Sequence, residues 1–192
     1  MKYLLLVLLA SIITACVSGP PEAGINKAYS QNGAIVTSPS QPGWVLLEHT
    51  TNTVVFARAL ADNHSVVANT YYFWIGDAAS DAVFFEKIIE GREQTNNRER
   101  FNQLVVDYHE TTFKGQPCLK YRGVAEYQRD PTKIPDSDDY FSNIGYICRA
   151  PSDAASALLM EVSYRSSSKQ LPVNIEHIAD TFFADITLTD SD

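Results

Sequence analysis

The residues best suited to chemistry in this sequence lie in the run VDYHET, residues 106–111. On a β-strand Asp107 and His109 would share one face, because side chains alternate between the two faces. An aspartate beside a histidine is part of a hydrolase triad, or of a metal site in which the carboxylate orients the histidine. The sequence has no G-x-S-x-G nucleophile motif and no second histidine at a metal-ligand spacing. We therefore interpret the run as a solvent-facing polar strand, with a hydrolase site at Asp107 and His109 as the alternative.

Two further sets of side chains are of the types that bind metal ions. The histidines are widely separated along the chain: His49, His64, His109 and His177. Four aspartates surround one polar loop: Asp130, Asp136, Asp138 and Asp139. The histidine spacing does not predict a zinc site, and the aspartates lack the alternation, glycine and terminal glutamate of an EF-hand loop. We predict a solvated acidic loop and no metal or cofactor site.

The aromatic run Tyr71–Trp74 is a further candidate site. Exposed aromatic side chains favour recognition, and an aromatic-lined cleft would suit a small ligand. The run ends a β-rich segment, residues 65–75, that carries large apolar side chains at both alternating sets of positions. Such a strand is typically central and buried on both faces. We predict that the aromatic run belongs to the core, and a small-ligand cleft remains an alternative function.

Two helices are predicted among the β-rich runs. The first follows Ser80, a good N-cap residue, and repeats apolar residues at helical spacing, which predicts a helix over about 80–96. The second begins at Pro172, which helices tolerate in their first turn, and its apolar stripe predicts a helix over about 172–186.

The strands should form one antiparallel sheet, because short turns join most of the β-rich runs. These runs are WVLLEH, TVVFARAL, SVVANTYYFWI, RFNQLVVDYHETTF, CLKYRGVAEYQRD, YFSNIGYICR and SALLMEVSYRS. The order predicts an α+β domain with a twisted antiparallel sheet of about six or seven strands and two packed helices. This element order loosely resembles the PsbP-like fold of small extracytoplasmic domains, a resemblance that carries no function with it.

The amino terminus predicts where the protein resides. One lysine precedes about a dozen apolar residues, too few for a membrane-spanning helix of about 20 residues but typical of a secretory signal. The segment ends in ITAC, which resembles the lipobox of bacterial lipoproteins: a branched apolar residue, two small residues and a cysteine. The resemblance implies that residues 1–15 are a signal peptide cleaved between Ala15 and Cys16, and that Cys16 is lipidated. A plain signal peptide with a coincidental cysteine is the alternative.

The resemblance also implies an outer-membrane location. In lipoproteins an aspartate after the cysteine tends to retain the protein in the inner membrane, and this chain has Val17 there. We expect a domain that faces the periplasm, with the inner membrane or the cell surface as alternatives. Residues 16–42, rich in Gly, Pro, Ser and Asn, are typical of a flexible tether, although GAIVTS within them could form an edge strand. Residues 43–189 should form a single α+β domain.

The two remaining cysteines predict a disulfide. With Cys16 lipidated, Cys118 and Cys148 form an even pair in an oxidising compartment. Closure of a loop of about 30 residues contributes roughly 3–4 kcal/mol in the chain-entropy model. If residues 118–128 pair antiparallel with residues 139–148, the two cysteines lie opposite each other.

The charge and the absence of catalytic motifs indicate a binding function. The net charge is −8 and becomes more negative when Lys2 leaves with the signal peptide, which argues against nucleic acid and anionic lipid head groups as partners. We predict a non-catalytic binding or assembly module, anchored to the membrane through acyl chains on Cys16, with an envelope protein as its partner. An envelope hydrolase at Asp107 and His109 and a periplasmic small-ligand binder are the alternatives.

Overall fold

A computed structural model describes residues 19–60, 64–96, 101–127, 140–151, 153–166 and 173–190. The strands in these ranges are β1 (Ala28–Gln31), β2 (Ala34–Thr37), β3 (Val45–His49), β4 (Thr53–Ala59), β5 (Ser65–Trp74), β6 (Phe101–Phe113), β7 (Gln116–Tyr127), β8 (Tyr140–Arg149), β9 (Ser156–Ser166) and β10 (Ile186–Leu188). The helices are α1 (Asp81–Thr95) and α2 (Val173–Ala184). Neither of these helices is long and apolar enough to cross a membrane.

The predicted fold class is confirmed. Seven strands form one sheet in the order β3-β4-β5-β9-β8-β7-β6, and all of its neighbouring strands are antiparallel. A second, three-stranded sheet has the order β1-β2-β10. The β3–β4 and β6–β7 hairpins are those that the sequence predicts, because each pair of β-rich runs is joined by a short turn.

The two helices cover opposite faces of the large sheet. On the α2 face, Ala179 and Phe182 of α2 share a core with Met160 of β9, and the small sheet completes this core. On the α1 face, Phe84 and Ile88 of α1 pack with buried residues of β7, β8 and β9. Because successive side chains of a strand point to opposite faces, the same central strands supply both cores.

The predicted disulfide is present. Cys118 of β7 is in register with Cys148 of β8, with the two Cα atoms 4.0 Å apart. Both cysteines are fully buried in the α2-face core. The bridge therefore joins two neighbouring strands at the register that the sequence predicts.

The helices lie close to their predicted positions. The Ser80 hydroxyl accepts a hydrogen bond from the Val83 amide, 3.3 Å away, and so caps α1. The prediction for α2 extends too far, because the helix ends at Ala184 and Ile186 begins β10, in register with Val36 of β2. Apolar residues four apart fit a helix, but Ile186 is buried through the small sheet instead.

The predicted tether over residues 16–42 is wrong from about residue 21 onward. Glu22 pairs with Val45 at the outer edge of β3, and β1 and β2 form a hairpin within the segment. The apolar side chains of Tyr29, Ala34 and Val36 lie in the α2-face core. Polar composition suggested a coil, but alternating apolar residues and the Asn-Gly turn between them produce a hairpin. The folded domain therefore begins well before the predicted boundary at residue 43.

Candidate binding cavity

Asp107 and His109 share one face of β6, as the strand periodicity predicts. They line a groove of about 380 Å³ between the β6–β7 hairpin and α2. Both are exposed, and no serine, threonine or cysteine lines this groove. An ion pair beside the groove joins Arg122 to Glu176, with the two charged atoms 3.3 Å apart. Among the described residues, neither Asp107 nor His109 takes part in an ion pair. The arrangement that a hydrolase requires is not formed by the described residues.

The other predicted metal-ligand candidates do not converge in the described part of the chain. His49 Nε2 lies 3.0 Å from the Ser30 carbonyl oxygen, and His64 Nδ1 lies 2.7 Å from the Tyr164 hydroxyl. His177 is exposed on α2. The described residues contain no group of three or more potential protein ligands placed to hold a metal ion. The aspartates lie outside the described residues: Asp130, Asp136, Asp138 and Asp139.

The prediction that Tyr71–Trp74 is core is wrong for half of the run. The Tyr71 side chain is 47% exposed and that of Trp74 is 76% exposed, whereas Tyr72 and Phe73 pack against the two cores. The cause is the length of β5, since Tyr71 is paired with the first residue of β4 and the end of β5 extends beyond that strand. These residues line neither the groove beside α2 nor the cavity on the α1 face between α1 and β6.

A second cavity, of about 380 Å³, lies on the α1 face between the end of α1 and the first half of β6. Its lining includes the cation Arg92, the phenols of Tyr108 and Tyr121, and the rings of Phe101 and Phe141. We call it the Arg92 cavity. Its volume falls within the range of about 300–1,000 Å³ that is typical of ligand sites.

A tyrosine and a carboxylate from different strands meet beside this cavity. Tyr121 of β7, Gly145 of β8 and Glu161 of β9 are in register across three strands. The Tyr121 hydroxyl donates a hydrogen bond to Glu161 Oε2, 2.6 Å away. A Cβ atom at Gly145 would lie 2.5 Å from the Tyr121 hydroxyl oxygen and 2.6 Å from the Met160 carbonyl oxygen. Glycine in the middle strand therefore allows the tyrosine to cross it and reach the carboxylate.

An amide on the next row of the sheet completes this hydrogen-bond network. Asn143 Nδ2 donates to the same Glu161 Oε2 at 3.0 Å, so one carboxylate oxygen accepts two hydrogen bonds. Asn143 lies opposite Gly123, where an added Cβ would collide with its side-chain oxygen. The two glycines thus leave room for both donors, and Asn143 and Gly123 also line the cavity.

Arg92 brings a positive charge to the network. It follows Phe84 and Ile88 at intervals of four residues and so ends the inward stripe of α1. Its guanidinium carbon lies 3.9 Å from the centre of the Tyr121 ring, a cation–π contact. Burial lowers the pKa of Arg92, but Tyr121, Glu161 and Tyr108 together raise it by more. Among the described residues Arg92 forms no ion pair.

The protonation of Tyr121 suits a hydrogen-bond donor. Burial raises the pKa of Tyr121 well above its ordinary value, and the Glu161 carboxylate raises it further, while Arg92 opposes both. The phenol therefore stays protonated at neutral pH and keeps its bond to Glu161. A cation, two phenols and an amide beside aromatic rings can hold a ligand through hydrogen bonds and apolar contacts.

Sequence reasoning missed all of these residues, although two signals were present. Glu161 is the one charged residue in the otherwise apolar run ALLMEV, where an inward-facing carboxylate needs hydrogen-bond partners. Gly123 and Gly145 lie within strand patterns, and a glycine there often marks a close approach of other atoms. Either signal predicts a place where side chains from neighbouring strands make polar contacts.

Comparison with known proteins assigns no family. No protein-family model matches the chain, and no curated protein sequence matches it either. The Ran-binding protein Mog1p of Saccharomyces cerevisiae is similar in structure, with 15% identity, coverage of 86% of this chain and 96% of that chain, and a TM-score of 0.48. The PsbP protein CyanoP of Synechocystis is 13% identical, with coverage of 90% and 99% and a TM-score of 0.42. The PsbP-like resemblance therefore stays loose, and neither likeness assigns a function.

Proposed function

We propose that this protein is a lipid-anchored, non-catalytic binding protein of the bacterial envelope, and that it binds its partner at the Arg92 cavity. One observation carries the proposal: a partly buried cation without an ion-pair partner among the described residues lies beside phenol, amide and aromatic side chains. Glu161 attracts the guanidinium but accepts its hydrogen bonds from Tyr121 and Asn143, so a ligand that supplies an acidic group can pair directly with Arg92.

The lipobox supports the envelope location. Acyl chains on Cys16 would hold the protein in the outer membrane with the domain in the periplasm, since two or more chains anchor a protein stably. The inner membrane and the cell surface are the alternatives, which fractionation of envelopes separates. Palmitate labelling tests the anchor: Cys16→Ser should abolish labelling, whereas Cys118→Ser/Cys148→Ser should retain it.

The partner we propose is an envelope protein that inserts an acidic group into the cavity. A carboxylate can form a paired hydrogen bond with a guanidinium, and Arg92 is held in position by the Tyr121 ring. An apolar neighbour in the same partner segment would pack against Phe101 and Phe141. A small anionic ligand is the second candidate, favoured by a cavity volume that is typical of small-molecule sites.

Site-specific photo-crosslinking in intact cells tests the proposal. Gln103 lines the cavity and is exposed, whereas His109 is exposed on the same strand but lines the groove beside α2. A photoreactive residue at position 103 should give a discrete protein adduct that Arg92→Gln weakens, and the matched residue at position 109 should not give it. Equal adducts from both positions, or an adduct unaffected by Arg92→Gln, would contradict the proposal.

The same variant separates the second candidate from the first. A small ligand predicts no protein adduct at position 103. Native mass spectrometry of the purified protein would then show a bound small molecule that is missing from Arg92→Gln.

A further inference from the structure

We infer that the end of the domain where β5 finishes rests on the lipid surface to which Cys16 is anchored. This inference rests on the lipid anchor of the proposed function. It adds a second surface, distinct from the Arg92 cavity, and assigns it to lipid.

The folded domain begins very close to the anchor. Only Val17 and Ser18 separate Cys16 from Gly19, the first described residue. An extended chain spans at most about 3.6 Å per residue, so three residues add at most about 11 Å between a lipid anchor on Cys16 and Gly19. A tether of about 26 residues would have let the domain move freely away from the bilayer, but the pairing of Glu22 with Val45 removes most of that length.

The direction of the chain identifies the end of the domain that lies nearest to the anchor. Glu22 pairs antiparallel with Val45 of β3, and the Pro21 carbonyl oxygen accepts a hydrogen bond from the Leu46 amide, so the chain that precedes Glu22 approaches from the His49 side of that strand. Because β3, β4 and β5 are successive antiparallel neighbours, this is also the end at which β5 reaches Trp74. The anchor and the end of β5 therefore lie at the same end of the sheet.

Three large apolar side chains are exposed toward this end, and others, such as Ile25 and Tyr127, are exposed elsewhere. Leu47 of β3 is 52% exposed, Tyr71 is 47% exposed and Trp74 is 76% exposed. We call these three residues the membrane-facing patch. Tyr71 and Trp74 project from opposite faces of β5, so both rings reach lipid when the end of the sheet points toward it. Tryptophan and tyrosine are enriched where a protein meets the membrane–water interface, because their rings are apolar and carry a polar group. The net charge of −8 would repel anionic head groups. We therefore expect the patch to make an apolar contact with zwitterionic lipid.

The Arg92 cavity lies toward the opposite end of the sheet. It is lined by Asn96, just beyond α1, and by Phe101, where β6 begins. β6 and α1 both run between that end and the end where β5 finishes, so the cavity would face away from the bilayer. With the patch on lipid, the cavity stays open to a periplasmic partner.

The two tryptophans allow a direct test. Trp44 is 3% exposed and Trp74 is 76% exposed, so Trp44→Phe leaves a single reporter in the patch and Trp74→Phe leaves one in the core. Each acylated, full-length mature protein is reconstituted into phosphatidylcholine vesicles with bromine on the acyl chains. We expect quenching of Trp74 to be several-fold stronger than quenching of Trp44. Adding Leu47→Ser and Tyr71→Ser to the Trp74 reporter should lower its quenching.

Mass spectrometry of each sample separates the two possible failures. If Cys16 is acylated and Trp74 is quenched no more than Trp44, the membrane-facing patch is wrong while the proposed anchor stands. If Cys16 carries no acyl group, the anchor and the inference that rests on it both fail. If acylated protein shows no quenching and a photoreactive residue at position 47 captures a protein in cells, the patch is a protein interface and the inference is overturned.

Discussion

The two faces of the large sheet are built by the same strands but differ sharply in polarity. On the α2 face, β9 contributes Leu158, Met160 and Val162, all fully buried in the α2-face core. On the α1 face, the same strand contributes Glu161, which accepts hydrogen bonds from Tyr121 and Asn143. The α2 face therefore provides most of the stability of the fold, while the α1 face gives up some stability for a polar site beside a cavity.

The largest expected effect is on the α2 face. Phe182→Ala removes a buried ring that packs edge-on against Phe56, with ring centres 6.4 Å apart. We expect a loss of about 3–5 kcal/mol in the free energy of unfolding, measured with urea. Val106→Ala, at a partly exposed residue of the cavity lining, is the control and should change it by less than about 0.5 kcal/mol. Equal losses of unfolding free energy in the two variants would contradict the proposed difference in stability between the two faces.

Removing the disulfide should give the next largest loss. Cys118→Ala/Cys148→Ala opens a loop that spans 30 residues in sequence and leaves two small side chains in the α2-face core. We expect a loss of roughly 2–5 kcal/mol in urea unfolding, from the greater freedom of the unfolded chain and from lost packing. A reducing agent should lower the stability of the wild-type protein toward that of the variant and leave the variant unchanged. A variant as stable as the oxidised wild type would contradict this account.

A single methyl group tests the α1 face. Gly145→Ala places a Cβ atom against the Tyr121 hydroxyl and the Met160 carbonyl oxygen, and the latter belongs to the backbone of β9. We expect a loss of about 1–3 kcal/mol in the free energy of unfolding, because Tyr121 must move from Glu161 or the strands must separate. Gly91→Ala in α1 is the matched control, since nothing lies within 4 Å of its added Cβ. It should be neutral or stabilising by up to about 1 kcal/mol.

Much of the fold could be predicted because its signals are local. The apolar spacing after Ser80 predicts α1, and the turn-flanked β-rich runs predict the β6–β7 hairpin. Cys118 and Cys148 then predict the register of β7 against β8. The hairpin between about residue 21 and residue 42 could not be predicted in this way, because an average over polar residues hides the alternation that buries Tyr29 and Val36.

The Arg92 cavity could not be predicted in the same way. Arg92, Tyr121, Asn143 and Glu161 come from one helix and three strands that are distant in sequence. They meet only because β7, β8 and β9 are neighbours in that order, with glycines that let side chains cross between strands. Periodicity assigns each residue to a face of its own element, but it does not assign partners across strands.

The smallest expected effect is the dependence of the α1 face on alkaline pH. The pKa of Tyr121 is raised in the folded protein by burial and by Glu161, so its neutral form stabilises the fold below the unfolded value of about 10. As the pH rises above that value toward the folded pKa, the unfolded protein releases the proton first. About 1.4 kcal/mol of stability should then be lost per pH unit. In urea unfolding between pH 9 and 11 (roughly the range that spans the ordinary tyrosine pKa), Tyr121→Phe should lose less stability than the wild type. Tyr71→Phe leaves Tyr121 in place and should lose as much stability as the wild type. If the free energy of unfolding falls in parallel in all three proteins, the buried phenol of Tyr121 does not cause the loss of stability at alkaline pH.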